Sequence, residues 1–161
     1  MLFSFRAIVL FYCCMLTFAG IGFLWNPKFV VESGLVALIG ASMEVKPLIV
    51  TQDNLSTLAL SGLVFLILGM IYTISLLQSN FLFFSGITPI RAIFDFILTG
   101  FIYLKKEHIA SNSLTFTFAF CDLMWQFWMF AAMSEERAKY LKNQKKAEEL
   151  AARKAREVEE S

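Results

Sequence analysis

Residues 55–77 run for 23 positions without a charged side chain. As a helix, rising about 1.5 Å per residue, that run is roughly 35 Å long and outreaches the ~30 Å hydrocarbon layer of a bilayer. Lipid offers no partner to a backbone N–H or C=O, so a spanning run must bond to itself as a helix or close into a barrel. This run does not alternate and is more than twice a barrel strand's length, so it reads as a helix. Three further segments follow suit: residues 7–25, 89–104 and 114–133. The third starts at Pro89, a residue suited to the first turn of a helix, and residues 81–84 could add an interfacial turn before it. The first, with Arg6 ahead of it, has a cleaved signal peptide as its alternative. Its apolar run is long for that and its small-residue pattern poor, so a retained span is expected.

Charge is segregated. Of the 27 charged side chains, 15 follow Met133, which leaves a nearly neutral, apolar body joined to a dense zwitterionic tail. The fold class read from this pattern is an all-α membrane protein. It has four transmembrane helices, a short interfacial or re-entrant helix and a charged cytosolic C-terminal helix. Residues 1–133 form the transmembrane bundle and residues 134–161 the tail.

The interfacial segment is residues 29–43, an apolar stretch shorter than a span and bracketed by Glu32 and Glu44. Ser33, Ala37 and Ala41 recur at helical spacing and would give a narrow face for close packing. A fifth span is the alternative.

Orientation is read from basic residues. Arg137, Lys139, Lys142, Lys145 and Lys146 follow the fourth span with no acid among them. That predicts a cytosolic C-terminus and, with four spans, a cytosolic N-terminus. Lys105 and Lys106, on the opposite side, run against this. The tail would form a helix of roughly 40 Å, with Glu135/Lys139 and Glu149/Arg153 at the favourable i,i+4 spacing. Leu141, Leu150 and Val158 form no heptad seam. The tail is therefore a solvated helix or a docking surface for a cytosolic partner or acidic lipid heads.

Chemistry-bearing motifs are sparse. Cys13, Cys14 and Cys121 all lie in apolar segments and read as small apolar side chains, with palmitoylation of Cys13 or Cys14 as the alternative. With His108 as the single histidine, no zinc-type ligand set can be assembled. No nucleophile motif, phosphate loop or nucleotide fingerprint is present. A non-enzymatic protein without cofactor, metal or nucleic-acid partner is expected.

The informative residues are charges within the spans. Arg91, Asp95 and Thr99 are four apart and share one stripe of the third helix, while Asp122 and Gln126 pair on the fourth. Intramembrane ionisable groups are costly and face a protein interior, a cavity or one another. Counted from the cytosolic ends, Asp95 and Gln126 are about 10 Å deep, and Thr99 and Asp122 about 16 Å deep. Two hydrogen-bonded levels are predicted, Asp95 with Gln126 and Thr99 with Asp122. Arg91, just inside the boundary, would pair with Asp95 or snorkel. Asp122, with no cation at its level, is expected to be uncharged, so Asn should replace it well. The cluster is either polar glue between helices or a cavity for a proton, a lipid or a client.

Two blocks carry a resemblance. In TPIRAIFDFILTGFIYL the corresponding features are Pro89, Arg91 and the FILT run ending at Thr99. In FCDLMWQFWMFAAMSEE they are Asp122, Gln126 and the pair Glu135 and Glu136. Through these, the chain resembles the fungal increased-loss-of-mitochondrial-DNA family of small multispan proteins. The resemblance implies an endoplasmic-reticulum membrane location and an indirect link to mitochondrial DNA maintenance, and it supplies no catalytic residues. It departs from the family pattern at Asp95, which is apolar in a relative, and in a tail of mixed rather than acidic charge. In architecture alone the chain also looks like the amino-acid-permease chaperones of that membrane.

The functional expectation is an assembly or chaperone-type factor, or an accessory subunit. Its partners would be membrane lipids and other integral membrane proteins. A lipid-binding or lipid-modifying protein is the alternative. A channel or proton path has too little support in one mid-depth carboxylate.

Overall fold

The computed structural model describes residues 4–159, with side chains described through residue 146 and at 148. The side chains of Glu149, Leu150, Arg153 and Val158, invoked above for the tail, lie outside the described set. Six helices follow in chain order. They are α1 (Phe5–Trp25), α2 (Pro27–Val31), α3 (Gly34–Ser42), α4 (Gln52–Leu77), α5 (Phe81–Leu104) and α6 (Ser113–Glu159). Among the described residues there is no strand. Four helices are long and apolar enough to cross a membrane: α1, α4, α5 and the first part of α6. The chain is an all-α, multi-pass membrane protein.

α1 packs chiefly on α4, and α5 on α6; α1 also meets α6, whereas α4 and α5, though consecutive, pack little against each other. The α1–α4 seam is built on glycine. A methyl group placed on Gly62 would lie 2.8 Å from Phe23 Cβ and 2.9 Å from the carbonyl oxygen of Gly20. One placed on Gly20 would lie 2.7 Å from Leu66 Cγ. Neither position has room for a side chain, so the two backbones approach as small-residue membrane seams do.

The third span corrects the expected start. Pro89 lies inside α5 rather than at its first turn. The helix begins two turns earlier, where Asn80 caps it by accepting a hydrogen bond from Phe83 N at 3.1 Å. Ser79, in the left-handed region at φ 51°, reverses the chain just before. Phe84 then docks against Phe5 and Tyr72, with ring centroids 5.3 and 5.9 Å away. The capped, aromatic-anchored turns hold helix through a proline that removes the donor for the Ser85 carbonyl.

Residues 29–43 form two short helices separated by Glu32 and Ser33. The longer, α3, has nine residues, a reach of about 14 Å, so a fifth span is excluded. The expected small-residue face is corrected too: Ala37 and Ala41 are exposed, and Val36 and Gly40 point inward. Gly40 sits on the start of α6, where an added methyl would be 2.7 Å from Ser113 Cβ. Asn54 of the glycosylation-type triplet Asn54-Leu55-Ser56 is engaged at the head of α4. Its Oδ1 accepts from Thr51 N at 2.9 Å and its Nδ2 donates to the Ile49 carbonyl at 2.8 Å.

The glycine seam makes a prediction. Gly62→Val should lower the thermal midpoint in detergent, by an overpacking cost of about 1–3 kcal/mol. Gly100→Ala, where nothing lies within 4 Å of the added carbon, should be neutral or slightly stabilising. Melting of Gly62→Val at the wild-type temperature would show that the seam does not hold α1 to α4.

Candidate functional site

The earlier start of α5 resets the depths within the bundle. Counted from Phe81, Arg91 is ten residues in, about 15 Å, not just inside the boundary. Asp122, eleven residues before Met133, lies at about 16 Å. The two therefore meet, and Arg91 Nη2 donates to Asp122 Oδ2 in a short ion pair. This overturns the pairing of Thr99 with Asp122 and the expectation that no cation stands at the level of Asp122. Asp95 moves one turn deeper than Arg91, so it does not face Gln126.

All four spans contribute to the centre. Tyr12 of α1 donates its hydroxyl to Asp122 Oδ1. Tyr72 of α4 accepts from Arg91 Nη1 at 3.0 Å. On α6 itself, Gln126 Nε2 donates to Asp122 Oδ1 at 3.3 Å. The guanidinium carbon lies 5.8 Å from the Tyr12 ring centroid and 5.4 Å from that of Tyr72. The two rings meet edge-on at 5.2 Å. Aromatic faces and a carboxylate thus take the place of the water a guanidinium would otherwise have. Tyr12 and Tyr72 are 1% exposed and Gln126 is fully buried.

Of the expected cluster, Arg91, Asp95, Asp122 and Gln126 are brought together. Thr99 is not: its Oγ1 is buried without a hydrogen-bond partner. Asp95 meets the Asp122 carboxyl in a side-chain hydrogen bond and lies within the field of Arg91, whereas Gln126 Oε1 is buried without a hydrogen-bond partner. The two tyrosines are what sequence reasoning missed. The signal was there: each lies well inside a span, where a phenolic hydroxyl needs a partner rather than the interface it prefers.

Beside the centre is a cavity of about 370 Å³ bounded by all four spans. Arg91, Asp95 and Asp122 line it together with apolar side chains such as Leu16, Phe65, Phe118 and Ala119. Its lining includes the exposed residues Met15 and Val64, so it reaches the outer surface of the bundle. The tail cations Arg137, Lys139, Lys142, Lys145 and Lys146 are exposed on the continuation of α6. Lys139 pairs with Glu135 at 2.9 Å, the expected i,i+4 contact.

Comparison with known proteins agrees with the resemblance. The family model described as "Increased loss of mitochondrial DNA protein 1" matches residues 3–143, and the chain belongs to that family. "Protein ILM1" of Saccharomyces cerevisiae is 31% identical over 81 residues, covering 50% of this chain and 40% of the yeast protein. The chain thus spans well under two thirds of that relative's length. No solved structure matches.

The centre predicts the opposite of the sequence expectation for Asp122. Asp122→Asn strands Arg91 without its counter-ion and should cost about 3 kcal/mol or more, as breaking one side of a buried pair does. Arg91→Met combined with Asp122→Leu removes both charges and should melt closer to wild type than either single variant. Thermal unfolding in one detergent, read as a double-mutant cycle, measures this. Additive single effects would mean that the two side chains do not act as a pair.

Proposed function

We propose that this member of the increased-loss-of-mitochondrial-DNA family is a non-enzymatic accessory protein of the endoplasmic-reticulum membrane. It would assemble with other integral membrane proteins, and its link to the mitochondrial genome would pass through those partners. The carrying observation is the continuity of α6 from Ser113 to Glu159. Its first part is locked into the bundle by the bonds of Asp122 to Tyr12 and Arg91 and by the buried Gln126 and Met129, and its second part carries exposed cations outward as one rod. Such a helix is suited to present a fixed docking surface beside the membrane rather than to turn over a substrate. The polar centre supports the same reading, because Asp122 is occupied by Tyr12, Arg91 and Gln126. A lipid-binding role is the second reading, favoured by the cavity beside Asp95.

Both termini are proposed to be cytosolic. At the end that holds α2 and α3, Lys28, Lys46, Lys105 and Lys106 are balanced by Glu32, Glu44, Asp53 and Glu107. Lys46 bonds to Glu107 at 2.8 Å and Lys106 to Glu44 at 3.2 Å. The hydrogen bond and charge of Lys46 hold the Glu107 carboxyl below its ordinary range, which keeps that pair ionised. The lysines that ran against the orientation thus sit at an end with as many acids as bases. The opposite end has Arg6 and, within residues 134–146, five bases against Glu135 and Glu136, an excess of bases of the kind that marks a cytosolic side.

Protease added to sealed microsomes should remove a C-terminal tag, and protection of the tag would reverse the topology. For the partner, the full chain solubilised in a mild detergent should co-purify with an integral membrane protein in fixed stoichiometry. The level of that protein should fall in cells lacking this chain. Lys142→Glu with Lys145→Glu and Lys146→Glu should reduce the recovered partner severalfold without changing the level of the protein itself. Unaltered recovery would remove the tail from the docking surface.

A further inference from the structure

α6 carries one helical register from the bundle into the tail, and that register sets what its cations face. At 3.6 residues per turn, side chains 18 residues apart point the same way, five turns on. Asp122 and Gln126 face the bundle interior, and 18 residues after them stand Tyr140 and Gln144, which bond to each other at 3.1 Å. On the other side of the span, Met124, Phe127 and Trp128 are exposed. Their counterparts five turns on are Lys142, Lys145 and Lys146. The three lysines therefore continue the lipid-facing side of α6, while its bundle-facing side runs on into Tyr140 and Gln144.

Position along the rod agrees. Lys142 lies about 14 Å past Met133 and Lys146 about 20 Å past it. The headgroup layer adds roughly 5–8 Å to the hydrocarbon on each side, and a long lysine stem can bend its ammonium back toward that layer. Spaced at i, i+3 and i+4, the lysines are like charges on one face, an arrangement that costs helix stability unless anions stand nearby. Among the described residues none of the three makes an ion pair, whereas Lys139 is held by Glu135 at 2.9 Å. From Glu148 onward acids and bases are mixed, so the unbalanced charge is confined to the part of the rod next to the membrane. Attraction to an acidic leaflet fades within a Debye length of about 8 Å, so bases serve it only there. We infer that this face of α6 gathers acidic phospholipids, of which phosphatidylserine is the simplest, in the leaflet beside it. Their acyl chains pack on Met124, Phe127 and Trp128, and their headgroups lie beneath Lys142, Lys145 and Lys146. The inference concerns the chain without a partner, so it and the accessory reading can fail separately.

Trp128 reads the lipid directly below Lys146. The full chain, with Trp25→Phe and Trp125→Phe, is reconstituted in bilayers of phosphatidylcholine and phosphatidylserine, each lipid in turn brominated on its acyl chain. At equal mole fraction the brominated serine lipid should compete for Trp128 about fivefold better than the choline lipid, and ~1 M salt should remove the preference. Lys142→Gln with Lys145→Gln and Lys146→Gln should make the two lipids equal. Adding Tyr140→Lys, Leu141→Lys and Gln144→Lys to that triple variant returns the same charge to the opposite face, and the preference at Trp128 should stay lost. Equal quenching before any lysine is changed overturns the proposal, as does a preference that survives the triple variant. Return of the preference with the lysines on the opposite face would mean that net charge, not the lipid-facing register, selects the lipid, and overturns it too. Where Trp125→Phe does not accumulate, the serine lipid retained per chain with native tryptophans gives the same comparison across the lysine variants.

Discussion

A guanidinium about 15 Å inside a lipid-embedded bundle governs the rest of the architecture. Water cannot reach it at low cost, so every face of the Arg91 head must be met by protein. Asp122 takes one edge, the Tyr72 hydroxyl takes another, and the rings of Tyr12 and Tyr72 approach its faces. These partners come from α6, α4 and α1, so solvating one side chain fixes the relative heights of all four spans. Lipid is as apolar as leucine and gives little reason for greasy helices to choose one register over another. An ion pair does give one, because a slip of one turn would strand both charges.

Local structure upstream makes the pair possible. Arg91 reaches Asp122's level because α5 begins at Phe81, and it begins there because Asn80 caps it and Phe84 packs on Phe5 and Tyr72. The aromatic contacts come from the same tyrosine that bonds the arginine. Packing at the end of the bundle and electrostatics at its centre therefore share a residue, and they stand or fall together. The glycine seam between α1 and α4 adds the second condition. Without the close approach at Gly20 and Gly62, Tyr12 and Tyr72 would stand too far apart to face one guanidinium.

The class of fold was legible in the sequence because it depends on composition alone. A charge-free run such as residues 55–77 has no other compact solution in lipid. The polar residues of the centre were legible for the same reason, since ionisable groups in a span stand out. Their pairing was not, because it depends on helix ends, which propensity locates poorly. Reading Pro89 as a helix start moved Arg91 by eight residues, about 12 Å, and set every level on α5 against the wrong neighbour on α6. The small-residue seam was misplaced for a related reason. Ser33, Ala37 and Ala41 have the right spacing, but the face that packs is set by Val36 and Gly40. The glycines that do join two spans lie in segments too uniformly apolar to show a face.

α6 joins the two halves of the molecule. From Ser113 to Glu159 it contains neither glycine nor proline, the residues at which a helix most readily kinks. Asp122 clamps it at one height within the bundle through Tyr12 and Arg91, and Gly40 of α3 presses on its first residue. Height and rotation at Asp122 are therefore passed along the rod to the cations that follow Met133, one turn per 3.6 residues. The tail's charged face is thus not free to orient by itself. Its direction is fixed by what Arg91 requires in the membrane, so the costliest side chain in the bundle also sets the geometry of the surface outside it.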